Sequence, residues 1–309
     1  MRKYSIIGSG QYNWDMITLR EYPDGFGKKK NHVDKTLTEE VGGTCANVLC
    51  MLAHFGWTAL PQVKLTERQE GRRLADSLQS LGCDTRYVSF VPKGTFCGIE
   101  CNHKKDLLSG EHKLTIRAFG LDGSRYFTVK HLRARDEVPV FLENLSEVPD
   151  VYFFDHYEAG PRAIARELKN RGTLIYFECE NNREWNKVVK SVEVADIVKF
   201  SDENVPDISF ADEYKDKLFI QTQGSKGLQF KLRNGDWIHV NPLQVTNVVD
   251  WEGCGDTITA VFLYELGKLG LPKVADLTES QVRSALTAST EKAAHCTQYY
   301  GSKTWLQYE

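Results

Sequence analysis

The chain has 309 residues, 39 Lys and Arg against 42 Asp and Glu, and a net charge of −3. That length suits one large α/β domain, or one domain with a substantial appendage. Charges of both signs are interspersed, so no basic stripe offers a nucleic-acid surface, and no stretch approaches the ~20 apolar residues of a membrane span.

The first expected element is a short buried strand, Tyr4-Ser5-Ile6-Ile7-Gly8, followed by Asn13-Trp14-Asp15. Its apolar run is too short for a signal peptide, and a cytoplasmic protein is expected. Gly8-Ser9-Gly10 opens like a dinucleotide fingerprint, but Asn13 stands at the third glycine place and Trp14 to Leu19 looks extended, so that reading is set aside. Residues 12–40 hold Met16-Ile17-Thr18-Leu19 and then a region rich in Gly, Pro and Lys, whose run Lys28-Lys29-Lys30 reads as a solvated loop. The pair Gly42-Gly43 lets backbone approach a ligand closely. Val48 to Phe55 is apolar on more than one face and reads as a buried helix stopped by Gly56, with Asn47 a polar residue one turn in.

Residues 93–130 read as strands: Phe96 to Cys101, Lys113 to Arg117 and Tyr126 to Val129. Cys97, Cys101 and His103 share one face by alternation, but no second ligand pair at zinc spacing accompanies them, so no metal ligand is assigned. Eight cysteines in a chain this long make no disulfide framework. Cys45, Cys50, Cys83, Cys179, Cys254 and Cys296 sit in apolar or small-residue contexts that fit reduced, buried thiols.

From residue 150 strands and helices alternate. Val151 to Phe154, Thr173 to Phe177, Asp196 to Phe200 and Leu218 to Thr222 are strands; helices begin at Pro161 and Trp185. Continuous apolar strands separated by helical connectors imply a parallel sheet covered on both faces. Asp155 and His156 fall at a strand end, where open α/β sheets place their ligand crevice. Thr222-Gln223-Gly224-Ser225-Lys226-Gly227 reads either as a hairpin or as a glycine turn beside a ligand. No Gly-x-x-x-x-Gly-Lys-Ser/Thr, His-Glu-x-x-His or Gly-x-Ser-x-Gly occurs.

The most informative stretch is Asp250-Trp251-Glu252-Gly253-Cys254-Gly255-Asp256. Ile258, Val261, Phe262, Leu266 and Leu269 follow at helical spacing on one broad face. The small-residue turn therefore opens a helix, where free N–H groups and the positive dipole end favour an anion. Asp256 has the wrong charge for an anion site. It makes sense there as a base for a nucleophile attacking that anion, or as a plain N-cap.

Together the early strand with Asn13 and Asp15, the Gly42-Gly43 pair before a helix bearing Asn47, and the late glycine turn with Asp256 resemble the ribokinase/PfkB-type carbohydrate kinase family. The resemblance runs in order over nearly the whole chain. It implies an α/β fold: a ribokinase-like three-layer α/β/α domain over 1–309, with a mostly parallel sheet and a small β-sheet lid from segments 12–40 and 93–130. A homodimer through the lid is its corollary. It implies that Asp256 is the catalytic base, that Gly253, Cys254 and Gly255 form the anion hole, and that Asn13, Asp15, Gly42, Gly43 and Asn47 face substrate hydroxyls. Thr222, Gly224 and Gly227 would lie beside the ATP phosphates, Mg²⁺ would bridge them, and Asp250 begins a loop that holds a monovalent cation in parts of the family.

The expected activity is ATP-dependent phosphorylation of a hydroxyl on a sugar or sugar derivative. A nucleoside kinase of the same fold and a non-catalytic nucleotide- or sugar-binding regulator are the alternatives. Two departures bear on the choice. Ser201-Asp202-Glu203-Asn204 stands where the family often has Asn-x-x-Glu. Trp251-Glu252 replaces a small pair, and Glu252 is expected to add negative charge near the phosphates.

Overall fold

The computed structural model describes residues 3–28, 31–119, 130–180 and 182–309. In chain order the first elements are β1 (Ser5–Ser9), β2 (Asn13–Tyr22), β3 (Val33–Gly42), α1 (Thr44–His54), β4 (Thr58–Pro61) and β5 (Val63–Thr66). Next come α2 (Gln69–Ser80), β6 (Val88–Val91), β7 (Gly98–Asp106), β8 (His112–Phe119) and α3 (Glu137–Glu143). The alternating half runs β9 (Val151–Phe154), α4 (Ala159–Asn170), β10 (Leu174–Cys179), α5 (Trp185–Val194), β11 (Ile197–Ser201) and β12 (Leu218–Thr222). It closes with β13 (Leu228–Leu232), β14 (Trp237–Val240), α6 (Cys254–Lys268) and α7 (Glu279–Cys296).

Eight strands form the main sheet in the order β14-β13-β12-β11-β10-β9-β1-β4. The run from β12 to β4 is parallel throughout, while β13 and β14 return antiparallel at one edge. The strand period of two sorts the core into two layers. Ile6, Phe153 and Tyr176 pack with α1, α6 and α7, whereas Ile7, Phe154 and Phe177 pack with α4 and α5. Each such side chain contributes roughly 1.5–3 kcal/mol by leaving water. The chain therefore has three layers with its sheet buried on both faces, which is why its strands read as unbroken apolar runs.

Helix α6 differs from the expected one-faced helix. Every residue from Asp256 to Leu263 is buried, because α6 lies on the sheet with α1 on one side and α7 on the other. Leu269, placed on the apolar face by spacing, is instead the exposed C-cap.

A second sheet has the order β3-β2-β7-β8. β2 and β7 pair in parallel from Trp14 opposite Gly98 to Tyr22 opposite Asp106, so segments far apart in sequence form one sheet. The expected strand Tyr126 to Val129 lies outside the described residues, as do Lys29 and Lys30. All eight cysteines are free thiols. No described helix is long and apolar enough to cross a membrane.

Candidate active site

The turn before α6 is shaped by Gly253, whose φ of 81° is left-handed and whose missing Cβ would sit 2.3 Å from the Ser302 Cβ. Only glycine fits both demands. Gly253 is also the N-cap, so Asp256 lies inside the first turn and makes no capping bond. Its carboxylate Oδ2 instead accepts from Asn47 Nδ2 at 2.6 Å. This removes the N-cap reading of Asp256. The Cys254 N–H turns back to the Trp251 carbonyl at 3.3 Å. The first-turn N–H groups of Gly255 and Asp256 are left without an intrahelical acceptor.

Asn47 is oriented from its other end. Its Oδ1 accepts from Lys303 Nζ at 2.6 Å and from Ser302 Oγ at 3.0 Å, and Lys303 also donates to the Val41 carbonyl at 2.6 Å. Burial alone would weaken the Lys303 ammonium, but Glu40 and then Cys50, Asp15 and Asp256 hold its pKa above the ordinary value. The Asp256 carboxyl is raised to about 6, first by burial and then by Glu178; Asn47, Lys199 and Lys303 pull it back.

Three cavities meet around this turn. The first, about 270 Å³, lies between the second sheet and the N-termini of α1 and α6. Asn13, Asp15, Gly43, Asn47, Gly253 and Asp256 line it, as do Glu180, Glu252 and the apolar Ile17, Ile99 and Ile116. Gly42 does not line it. A Cβ on Gly42 would fall 1.7 Å from Asp15 Oδ2, so this glycine serves the cavity by making room for Asp15. Glu252 lines this cavity, whereas its neighbour Trp251 lines the third.

The middle cavity, about 340 Å³, is lined by Glu178, Glu180, Lys199, Ser201, Asn204, Thr222 and Gly255. It shares Thr44 and Glu180 with the first cavity, and Thr222 and Gly255 with the third. The third, about 470 Å³, brings together Thr222, Gly224, Gly227, Cys254 and Gly255 with Leu243, Val245, Val248 and Trp251. Thr222 to Gly227 is thus both a β12–β13 hairpin and part of a cavity wall.

Asp155 is structural. Its Oδ2 accepts from the Gln11 and Cys45 N–H groups at 2.9 and 3.0 Å, tying the β1–β2 turn to the start of α1. Asp155, His156 and Glu180 bring three potential ligand atoms within 4.8 Å of one another, but His156 Nε2 already contacts Lys130 Nζ. Cys97, Cys101 and His103 do not form such a group among the described residues. His103 faces His112 at 3.0 Å and Asp250 at 3.3 Å. Asp250 accepts from the Glu252 and Gly301 N–H groups at 3.1 and 3.0 Å. These contacts hold its carboxyl below the ordinary value despite its burial.

No protein-family model matches the chain, and no curated protein matches it. Solved structures do. A fructokinase from Xylella fastidiosa with bound ATP is 16% identical at a TM-score of 0.68, covering 97% of this chain and 94% of its own. A fructokinase from Vibrio cholerae with fructose, ADP and calcium is 18% identical at 0.66, covering 98% and 96%. A nucleoside kinase from Burkholderia thailandensis with inosine is 15% identical at 0.64, covering 98% and 93%.

This chain has the ribokinase-like fold.

Within that fold, several polar residues escaped the sequence reading. Lys199 on β11 is buried, pairs with Glu178 on β10, and donates to the Gly255 carbonyl at 2.8 Å. Thr259 donates to the other Glu178 oxygen at 2.7 Å. A lysine inside an apolar strand was the available signal, since buried lysines need a partner. Lys303 gave no local signal, because two of its partners, Val41 and Asn47, lie more than 250 residues earlier in the chain. Asp202 and Glu203 do not line the middle cavity; the carboxylates there come from Glu178 and Glu180.

Proposed function

We propose that this ribokinase-like chain is an ATP-dependent kinase that phosphorylates a hydroxyl of a small sugar-like acceptor, working as one domain with segments 12–40 and 93–130 as its lid. The observation that carries this reading is the place of Asp256. It sits at the start of α6, in the wall of the lid cavity, one residue from Gly255, which lines the other two cavities. The acceptor occupies the lid cavity and ATP the outer one, with its γ-phosphoryl group reaching the middle.

Asp256 takes the proton of the attacking hydroxyl. A carboxyl near 6 is ionised at neutral pH yet basic enough for that transfer. Asn47 and Lys303 fix its orientation. The open N–H groups at the α6 start receive charge on the transferring phosphoryl oxygens, the largest source of rate in such sites. Lys199 holds the Gly255 carbonyl and with it the turn. The middle cavity fits Mg²⁺ in donor chemistry through Glu180, since both Glu178 oxygens are already engaged by Lys199 and Thr259 and Mg²⁺ is usually held by one or two carboxylates beside phosphate oxygens. Bound there, the ion would offset phosphate charge. Glu180 is raised well above its ordinary value by burial and then by Asp155.

The similar structures bind fructose in one case and inosine in another, so sugars and nucleosides are both offered. The test is ADP release from ATP over a panel of sugars, sugar amines and nucleosides, with phosphorylated product identified by mass. No acceptor-dependent ADP with any member would favour a non-catalytic binder, for which Asn204 in the usual Glu place is the supporting observation.

A further inference from the structure

The lid cavity is charged in one direction. Among the described residues four carboxylates line it, from Asp15, Glu180, Glu252 and Asp256, and no Lys, Arg or His does. The nearest ammonium, Lys303, stands behind the wall with its three donors directed at Val41 O, Asn47 Oδ1 and Ser302 Oγ. An ammonium has three donors and no more, so it offers none to a ligand in the cavity.

Two of the four carboxylates have work within the kinase reading. Asp256 is the base, and Glu180 is shared with the middle cavity. Asp15 and Glu252 remain. Among the described residues Asp15 Oδ1 is shut off from solvent and has no hydrogen-bond partner, while its Oδ2 fills the space left by the absent Gly42 Cβ. The Glu252 carboxylate accepts no hydrogen bond among the described residues, and its backbone is pinned by Asp250. Above them the wall is apolar: Ile17, Ile99 and Ile116. A half-buried carboxylate with no counter-charge beside it is costly to ionise. Both groups record that cost. Asp15 is raised to about 7 by burial, against Lys303 and with Glu40, Glu252 and Asp256; Glu252 is raised to about 7 by burial, then Asp250 and Asp256, with His103 opposing. A neutral polyol leaves that repulsion in place, whereas a cation seated between them removes it.

We propose that the acceptor carries a protonated amine held between Asp15 and Glu252, which makes it an amino sugar or a comparable amino-polyol with a hydroxyl directed at Asp256. The place of the hydroxyl rests on the kinase reading; recognition of the amine does not.

The test is equilibrium binding by calorimetry near neutral pH. Glucosamine, galactosamine, mannosamine and 1-amino-1-deoxyfructose are each compared with the N-acetyl derivative and the parent sugar, with inosine and adenosine alongside. At least one amine should bind about tenfold or more tightly than both of its neutral counterparts, the scale of one charge-assisted hydrogen bond. Glu252→Gln and Asp15→Asn, each confirmed folded by its melting curve, should erase that preference. A neutral sugar or nucleoside binding more tightly than every amine overturns the inference, as does failure of all the amines to bind. An amine preference unchanged in both variants also overturns it. Turnover then separates the two readings. Amine binding with no ATP turnover leaves this inference standing and sinks the kinase, while turnover of a neutral sugar with the amines refused does the reverse.

Discussion

Asn47 and Asp256 lie 209 residues apart in sequence and are joined by a 2.6 Å hydrogen bond between the N-termini of two helices. Asn47, held at its other end by Lys303 and Ser302, passes that orientation on to Asp256. Asn47 lowers the Asp256 carboxyl against the burial that raises it. Asn47→Ala should therefore cut turnover roughly ten- to hundredfold, the cost of one buried partner, and move the acid limb of the pH–rate profile upward from about 6. Acceptor affinity should fall more than ATP affinity, since Asn47 lines the lid cavity alone. An unchanged acid limb would show that Asn47 does not act through Asp256.

Lys199 and Glu178 form a buried ion pair whose other contacts are the Gly255 carbonyl and Thr259. Lys199→Met should destabilise the fold by about 3–5 kcal/mol, because it leaves the Glu178 charge buried without its cation. Adding Glu178→Gln should recover part of that loss. Denaturant unfolding of the two single variants and the double variant measures the coupling. Fully additive losses would mean that the pair contributes nothing as a pair.

Asp15 and Glu252 are both held at about 7, so the folded chain retains protons that the unfolded chain releases. Unfolded carboxyls titrate near ~4, so the folded state binds more protons between about pH 4 and 7, and stability falls as pH rises through that window. Glu252→Gln should thus raise stability above pH ~7 by roughly 1–2 kcal/mol and change it little below pH ~4. Thermal melts across pH decide this. A variant less stable than the parent at neutral pH would mean that Glu252 already has a cationic partner.

The layered fold was legible because its signals are local. Val151 to Phe154 and Leu218 to Thr222 are apolar runs whose burial on both faces follows from their composition. The glycine turn before α6 was legible because Gly253 and Gly255 break an otherwise apolar segment. The polar wiring was not. Lys303, Ser302 and Asn47 come together only when the C-terminal turn folds back on α1, and nothing near Lys303 announces it. Which cavity Glu252 lines was not legible either: it and its neighbour Trp251 line different ones, and neither period nor composition tells the two apart.

Asp256→Asn tests the central claim. The N-cap of α6 is Gly253, so the substitution leaves the helix start untouched. The new amide oxygen can still accept from Asn47 Nδ2, so the α1–α6 contact is kept. A carboxyl raised to about 6 by burial and by Glu178 is replaced with a neutral group, and stability at neutral pH should be equal to or above that of the parent. What is lost is the proton acceptor. Turnover should fall ~10²–10⁴-fold while ATP still binds. The acid limb near 6 should disappear from the residual activity, because the group that produced it is gone. Near-parental turnover with a stable fold would remove Asp256 as the base. A large loss of ATP affinity would place it against the nucleotide, in the cavity that Gly255 lines, rather than against the acceptor.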